Sequence, residues 1–141
     1  MPSADFYLIA KPRFREEPLR LVCELARKAY EKGIPTLVLA RDAAQAEQLD
    51  DLLWAFDPDA FIPHQIVGVD VDEDEADVLI ATPDADVPLR PIVINLRDAA
   101  VEGAFERVLE VVPADEGARG PLRERWKQYQ ALGLDVKKHD M

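Results

Sequence analysis

Three short, uninterrupted apolar runs limit the folds open to this chain more than any other part of it. They are TLVLA at 36–40, VLIA at 78–81 and PIVINL at 91–96. A strand with one face in water alternates apolar and polar residues, whereas a strand covered on both faces is apolar throughout. The three runs therefore predict central strands of a largely parallel sheet with helices on both faces.

Segments with helical periodicity separate and follow these runs. Apolar residues recur at helical spacing over 17–32, and Gly33 is placed to end that helix. Asp42 is a predicted N-cap for a second helix that continues to residue 54. A last helix is predicted over about 118–132.

Two further apolar segments, FYLIA at 6–10 and RVLEVV at 107–112, complete the predicted strands. The alternation of strands and helices is typical of an α/β fold. We expect a single domain of about five strands spanning residues 1–141.

The composition indicates a folded, soluble protein. Of its 141 residues 48 % are hydrophobic, and the only cysteine, Cys23, lies on the apolar side of a helix, where a core position is expected. Without a CxxC or His/Cys cluster, no metal site is predicted. Asp5 and Lys11 interrupt the first apolar run, so we predict neither a signal peptide nor a membrane span, and a cytoplasmic location.

Motifs for catalysis and cofactor binding are missing from the sequence. None of the six glycines forms GxGxxG or GxxxxGK[ST], the sequences that cradle phosphates. His64 and His139 are too far apart in sequence to indicate an acid–base pair. We predict no catalytic residues and no cofactor. The competing hypothesis, a nucleotide-dependent enzyme on the same sheet, would be detected by calorimetric titration with nucleotides.

Charge is distributed unevenly along the chain. The net charge is −11, and the stretch 42–89 carries 14 acidic and no basic residues, which leaves +3 for the rest. Such an acidic protein is not expected to bind a phosphate backbone directly. The acidic stretch 69–77 does not match a calcium loop, because Glu75 stands where glycine is needed and Ala81 where a bidentate glutamate is needed.

The last predicted helix combines a basic stripe with an apolar one. On a helical wheel one arc holds Arg119, Arg123, Trp126 and Lys127, and the neighbouring arc holds Leu122, Trp126, Tyr129 and Gly133. One interpretation is an ordinary amphipathic helix with its basic side in solvent. The other is a receptor for a short acidic peptide with a hydrophobic end, because cations beside an indole attract carboxylates and offer an apolar slot.

The stretch LLWAFDPDAFIPH at 52–64 places Trp54, Phe56, Phe61 and Ile62 among turn residues. The pattern fits the end of an amphipathic helix that leads through Pro58 into a short strand. It also fits a surface that another protein covers.

These segments together resemble a known family. FYL at 6–8, QA…LD…LW at 45–54, FIPH at 61–64 and VP…RERW-K-Y at 112–129 stand in the order and spacing of the chi subunit of bacterial DNA polymerase III. The resemblance covers nearly the whole chain. It implies a Rossmann-like α/β fold with no nucleotide chemistry and no catalytic activity by itself.

The resemblance also implies two protein partners. Chi proteins hold the acidic C-terminal tail of the single-stranded-DNA-binding protein, and they bind the psi subunit, which connects them to the clamp loader. By position, the tail site falls on Val112, Arg119, Arg123, Trp126 and Lys127. The psi-facing patch falls on Trp54, Phe61, Ile62, Pro63 and His64.

Some positions depart from the family pattern, and one alternative partner stays open. Trp126 stands where tyrosine is common, which keeps the apolar slot without a hydroxyl. The C-terminal segment 135–141 matches poorly, so no contacts are assigned to it. In the same family, the psi-facing surface can serve a repair helicase instead.

Overall fold

A computed structural model describes residues 2–55, 62–67 and 76–141 of the chain. Its centre is a seven-stranded sheet in which all the strand pairs are parallel. The strands are β1 Ser3–Leu8, β2 Thr36–Leu39, β3 His64–Val67, β4 Val78–Ala81, β5 Ile92–Asn95, β6 Arg107–Val112 and β7 Asp135–Asp140. They lie in the order β3-β4-β2-β5-β6-β1-β7. The predicted α/β class with a parallel sheet flanked by helices is confirmed.

Helices cover both faces of the sheet. They are α1 Pro12–Glu16, α2 Pro18–Glu31, α3 Ala43–Ala55 and α4 Arg119–Ala131, the last preceded by a 3-10 turn at Glu116–Ala118. Residues of α1, α2 and α3 share one hydrophobic core on one face, and α4 contributes Tyr129 to a second core on the other. The two candidate binding surfaces described below lie on these opposite faces.

Local sequence sets the helix ends as expected. Asp42 caps α3, since the backbone N–H of Gln45 donates to Asp42 Oδ1 at 2.7 Å, and the backbone N–H of Arg41 donates to Gln45 Oε1 at 2.7 Å. Gly33 and Gly133 follow α2 and α4 with φ of 71° and 84°, the left-handed conformation in which glycine ends a helix without strain.

The three apolar runs form β2, β4 and β5, which are neighbours inside the sheet. Their residues are buried almost without exception, and Leu37 of β2 pairs with Leu79 of β4 and with Val93 of β5. The prediction that these strands are covered on both faces is confirmed. Cys23 is also buried, as predicted, and burial raises the pKa of its thiol to about 12.

The structure corrects the predicted strand count from about five to seven in the ranges that it describes. The two additional strands, β3 and β7, form the edges of the sheet, and β1 begins at Ser3 rather than at residue 6. The five-residue helix α1 was not predicted either. Edge strands have one side open to solvent and carry polar residues, so DVKKHD of β7 lacks the apolar pattern of the inner strands.

Two further results concern membrane-spanning helices and metal-binding groups. Within the described ranges, no helix is both long enough and apolar enough to cross a lipid bilayer. In the same ranges, His, Cys, Asp and Glu side chains form no group of three that could hold a metal ion. Phe56, Phe61 and most of the acidic stretch 69–77 lie outside the described residues.

Candidate protein-binding surfaces

The five residues of the predicted tail site surround one groove beside α4. The groove consists of two adjoining pockets that share Leu8 of β1 and Leu122 of α4 as walls. The first pocket, of about 330 Å³, is lined by Arg123, Trp126 and Lys127. The second, of about 310 Å³, is lined by Val112 and Arg119. We call the two pockets together the α4 groove.

The cations of the α4 groove are available to a ligand. Arg119, Arg123 and Lys127 are exposed, and among the described side chains no carboxylate lies within ion-pair distance of any of them. Lys138 of β7 also lines the first pocket and is likewise exposed. In a protein of net charge −11, this unpaired cluster makes a local positive field.

Trp126 has two contacts that fix its position. Its ring is partly buried and lies 5.0 Å from the ring of Phe6, centroid to centroid, at an interplanar angle of 40°. Phe6 in turn meets Tyr129 edge-on at 6.0 Å. The indole therefore belongs both to the core under α4 and to the wall of the groove, so its exposed side is held rigidly.

A buried polar network attaches α4 to the sheet, and sequence analysis missed it. The Tyr129 hydroxyl donates to Glu110 Oε2 at 2.6 Å and accepts from the Val101 N–H at 2.9 Å. The Asn95 amide donates to the same Glu110 oxygen at 2.8 Å. Arg125 Nε lies 2.9 Å from Glu110 Oε1, an ion pair outside hydrogen-bond geometry. The sequence signal for this network was a single polar residue inside each of two apolar runs, Glu110 in RVLEVV and Asn95 in PIVINL. Polar groups buried in such strands need hydrogen-bond partners.

Burial governs the electrostatics of this network. Burial raises the pKa of Glu110 above the usual glutamate value, while Arg125 and the donated hydrogen bonds act in the opposite direction. Burial also raises the pKa of the Tyr129 hydroxyl, and the neighbouring Glu110 charge adds to that rise. With its two oxygens engaged from α4 and β5, Glu110 holds the register of α4 and hence the alignment of the groove cations.

The residues predicted to face psi are separated by the fold into exposed and buried ones. Trp54, at the end of α3, is 57 % exposed, and Pro63 is partly buried. Ile62 is 1 % exposed and belongs to the core under α3. Phe61 lies outside the described residues. Of these residues Trp54 therefore offers an accessible aromatic surface, and Ile62 lies in the core beneath it.

His64 supports Trp54 from the interior. Its side chain is 1 % exposed, and its ring meets the Trp54 ring edge-on at 4.9 Å. Nδ1 lies 2.6 Å from the Ile62 carbonyl, and Nε2 lies 3.2 Å from Asp50 Oδ1. The imidazole is thus enclosed by α3 and by the chain that leads into β3, and it sets the position from which the indole projects.

The Trp54 surface, meaning Trp54 with the exposed part of α3 around it, differs from the α4 groove in charge and location. Asp51 and Glu47 are exposed one and two turns, respectively, before Trp54 on the same helix, so the rim of this surface is acidic. It lies beside β3, whereas the groove lies beside β1 and β7 on the other face. With strands about 4.8 Å apart, the five intervals from β3 to β1 separate the surfaces by roughly 24 Å.

The whole chain matches one protein family. The match to "DNA polymerase III chi subunit, HolC" extends over residues 1–137. The chain belongs to the chi family.

Curated chi proteins match this chain over nearly their full length. The chain is 33 % identical to the DNA polymerase III subunit chi of Pseudomonas aeruginosa, covering 99 % of this chain and 96 % of that protein. It is also 33 % identical to the Escherichia coli subunit chi, covering 96 % of each, and 25 % identical to the Haemophilus influenzae protein. The predicted family is confirmed. Chi is an accessory and not a catalytic subunit of DNA polymerase III, so the chain is a DNA replication protein and not an enzyme by itself.

Solved structures share the fold at much lower identity. A chain in the structure of Saccharomyces cerevisiae Dbp5 bound to Nup159 and Gle1 superposes with a TM-score of 0.62 at 13 % identity. A DEAD box protein from Methanococcus jannaschii gives 0.60 at 16 %. This chain is covered to 97 % in both cases but spans only 41 % and 42 % of those chains. At such identities the likeness describes the fold alone.

An arginine side chain occupies the carboxyl ends of the central strands β2 and β4. In open parallel sheets ligands bind beyond the carboxyl ends of the strands. Here Arg97 fills that position, donating from Nε to the Ala40 carbonyl at 2.8 Å and from Nη2 to the Ala81 carbonyl at 3.1 Å. The turn after β1, Ile9–Lys11, contains no glycine to form a phosphate loop.

Proposed function

We propose that this chi-family chain connects the clamp loader, through psi or an equivalent protein, to the acidic C-terminal tail of the single-stranded-DNA-binding protein. The observation that carries the proposal is the α4 groove, where unpaired cations border an apolar pocket. The tail would bind with its carboxylates on the cations and its terminal apolar side chain against Trp126.

The two parts of the groove divide the work of binding. Guanidinium groups can hold carboxylates bidentately and so orient a peptide. Exposed ion pairs contribute only about 0–1 kcal/mol each, so the apolar pocket of Leu8, Leu122 and Trp126 supplies most of the affinity. The ligand that fits both parts is an acidic peptide that ends in a hydrophobic residue with a free carboxylate.

This proposal is tested by fluorescence anisotropy with a labelled acidic peptide that ends in phenylalanine. The free-acid peptide should bind, and its affinity should weaken as the salt concentration rises, because salt screens charges over a Debye length of about 8–10 Å. Removing the terminal phenylalanine should cost more affinity than neutralising any one acidic residue. A salt-independent affinity would place the tail site elsewhere on the molecule.

The Trp54 surface supports the second half of the proposal. It lies on the other face of the sheet from the α4 groove, so both partners can be bound at once. Because Glu47 and Asp51 border it, the partner should present basic residues around an apolar socket. A replication connector needs two such independent surfaces.

Replacement of Trp54 by alanine should abolish capture of clamp-loader proteins in a pull-down from the source cells, while the single-stranded-DNA-binding protein is still retained. Loss of a central aromatic anchor commonly costs about 2 kcal/mol or more, roughly a thirtyfold loss of affinity. Leu132→Ala is the matched control, because Leu132 is 60 % exposed but lies at the end of α4.

The recovered proteins also decide between partners for the Trp54 surface. Recovery of a repair helicase in place of clamp-loader proteins would assign the surface to the alternative partner. If Trp54→Ala melts much earlier than wild type and still retains the same proteins, the indole is a core residue and not an anchor.

Direct DNA binding is not part of the proposed function. We expect no measurable affinity for a single-stranded oligonucleotide at physiological salt, because the net charge of −11 repels phosphates and the groove offers few cations to replace counterions. A fluorescence titration that gives micromolar or tighter binding of the bare oligonucleotide would contradict this expectation.

A further inference from the structure

The α4 groove extends beyond the pocket at Trp126 and reaches a cation from another part of the chain. Its second pocket is lined by Arg15 of α1 as well as by Arg119 of α4. Both side chains are exposed, and among the described residues neither is within ion-pair distance of a carboxylate. In contrast Arg13, on the same short helix, is paired with Glu24 at 3.0 Å.

Resting on the proposed function, we propose that Arg15 and Arg119 form a second subsite, which binds acidic residues that precede the hydrophobic end of the peptide. The first pocket is almost wholly apolar apart from its rim, and it takes the terminal side chain. The second is lined by two arginines, and it takes carboxylates.

The spacing of the subsites determines which peptide residues reach them. Arg119 lies seven residues before Trp126 on α4, about 10 Å along the helix axis. An extended peptide covers that distance with roughly three residues. Carboxylates from about the third to the sixth residue before the terminus are therefore the ones that Arg119 and Arg15 would bind.

Asp115 limits the strength of the second subsite. Its side chain lines the same pocket, and Oδ1 accepts the Gly117 N–H at 3.1 Å. The described side chains of this pocket thus give one negative charge against the two arginines. Because asparagine keeps an oxygen for the Gly117 N–H, Asp115→Asn should strengthen binding of acidic residues here without removing the hydrogen bond.

The test uses the full chain and three labelled peptides that share the free-acid end Asp-Gly-Ser-Phe. One is this tetrapeptide alone, one is extended at its N-terminus by three aspartates, and one by three asparagines. By anisotropy, the aspartate extension should strengthen wild-type binding about two- to fivefold per engaged arginine, and the asparagine extension should not.

Single-residue variants show which side chains cause the higher affinity of the aspartate-extended peptide. Arg15→Gln should weaken binding of the aspartate-extended peptide about two- to fivefold and leave the tetrapeptide unchanged. Arg13→Gln, which changes the net charge equally, should affect neither peptide. Asp115→Asn should strengthen binding of the aspartate-extended peptide alone.

Two results would overturn the second subsite. One is equal wild-type affinity for the tetrapeptide and the aspartate-extended peptide, and the other is equal losses for Arg15→Gln and Arg13→Gln, which would indicate general electrostatic attraction. Failure of every peptide to bind would instead reject the proposed tail groove itself, so the two failures are distinguishable.

Discussion

Glu110→Ala should lower the free energy of unfolding by about 3–5 kcal/mol, the usual cost of removing one partner of a buried ion pair. The variant leaves the Arg125 guanidinium buried without its counter-charge. It also deprives the Tyr129 hydroxyl and the Asn95 amide of their shared acceptor. Urea denaturation followed by circular dichroism measures the change.

Two further variants make this expectation specific. Glu106→Ala removes the same charge from an exposed position just before β6 and should change stability by less than about 0.5 kcal/mol. Glu110→Leu combined with Arg125→Met should recover the part of the loss that comes from the unpaired Arg125 charge, because an apolar pair can replace a buried ion pair at little cost. In this double variant Tyr129 and Asn95 still lack their acceptor. Equal effects of Glu110→Ala and Glu106→Ala would show that the network does not stabilise the fold.

Trp126→Ala should weaken binding of an acidic peptide with a hydrophobic free-acid end by about 3 kcal/mol, more than a hundredfold. The indole forms the wall of the apolar pocket together with Leu8 and Leu122, and truncation opens that pocket to water. Anisotropy titrations at several salt concentrations give both the affinity and its salt dependence.

Arg123→Ala should weaken binding of the same peptide by about two- to fivefold, less than Trp126→Ala does, and should change its salt dependence. Removal of a cation should flatten the salt dependence, whereas Trp126→Ala should leave its slope unchanged. Since Trp126 also packs on Phe6, Trp126→Tyr serves as the control for folding, and it should keep most of the affinity. Full peptide binding by Trp126→Ala would place the tail site elsewhere.

For the surfaces, the sequence supplied the residues but not their accessibility. The helical wheel placed Arg119, Arg123, Trp126 and Lys127 together, because the spacing along one helix determines which side chains share a face. It could not supply Leu8 or Arg15, which reach the groove from β1 and α1. Likewise, the apolar character of Ile62 gave no indication that it lies in the core while Trp54 projects into solvent.

For the fold, the sequence alone determined the class and the inner strands. The composition of the runs that form β2, β4 and β5 indicates by itself that these strands are buried, since a strand covered on both faces must be apolar throughout. The caps at Asp42 and Gly33 were equally local, because they depend on neighbouring residues only.

Only the tertiary structure decided the sheet edges and the buried polar network. The strand β7 is mostly charged, and it is held by pairing with β1 and by His139 Nε2, which lies 2.9 Å from Asp5 Oδ1 across 134 residues of sequence. The acceptor of Tyr129 is likewise Glu110, 19 residues away on another element. Pairings of this kind are satisfied by groups distant in sequence, so no local pattern specifies them.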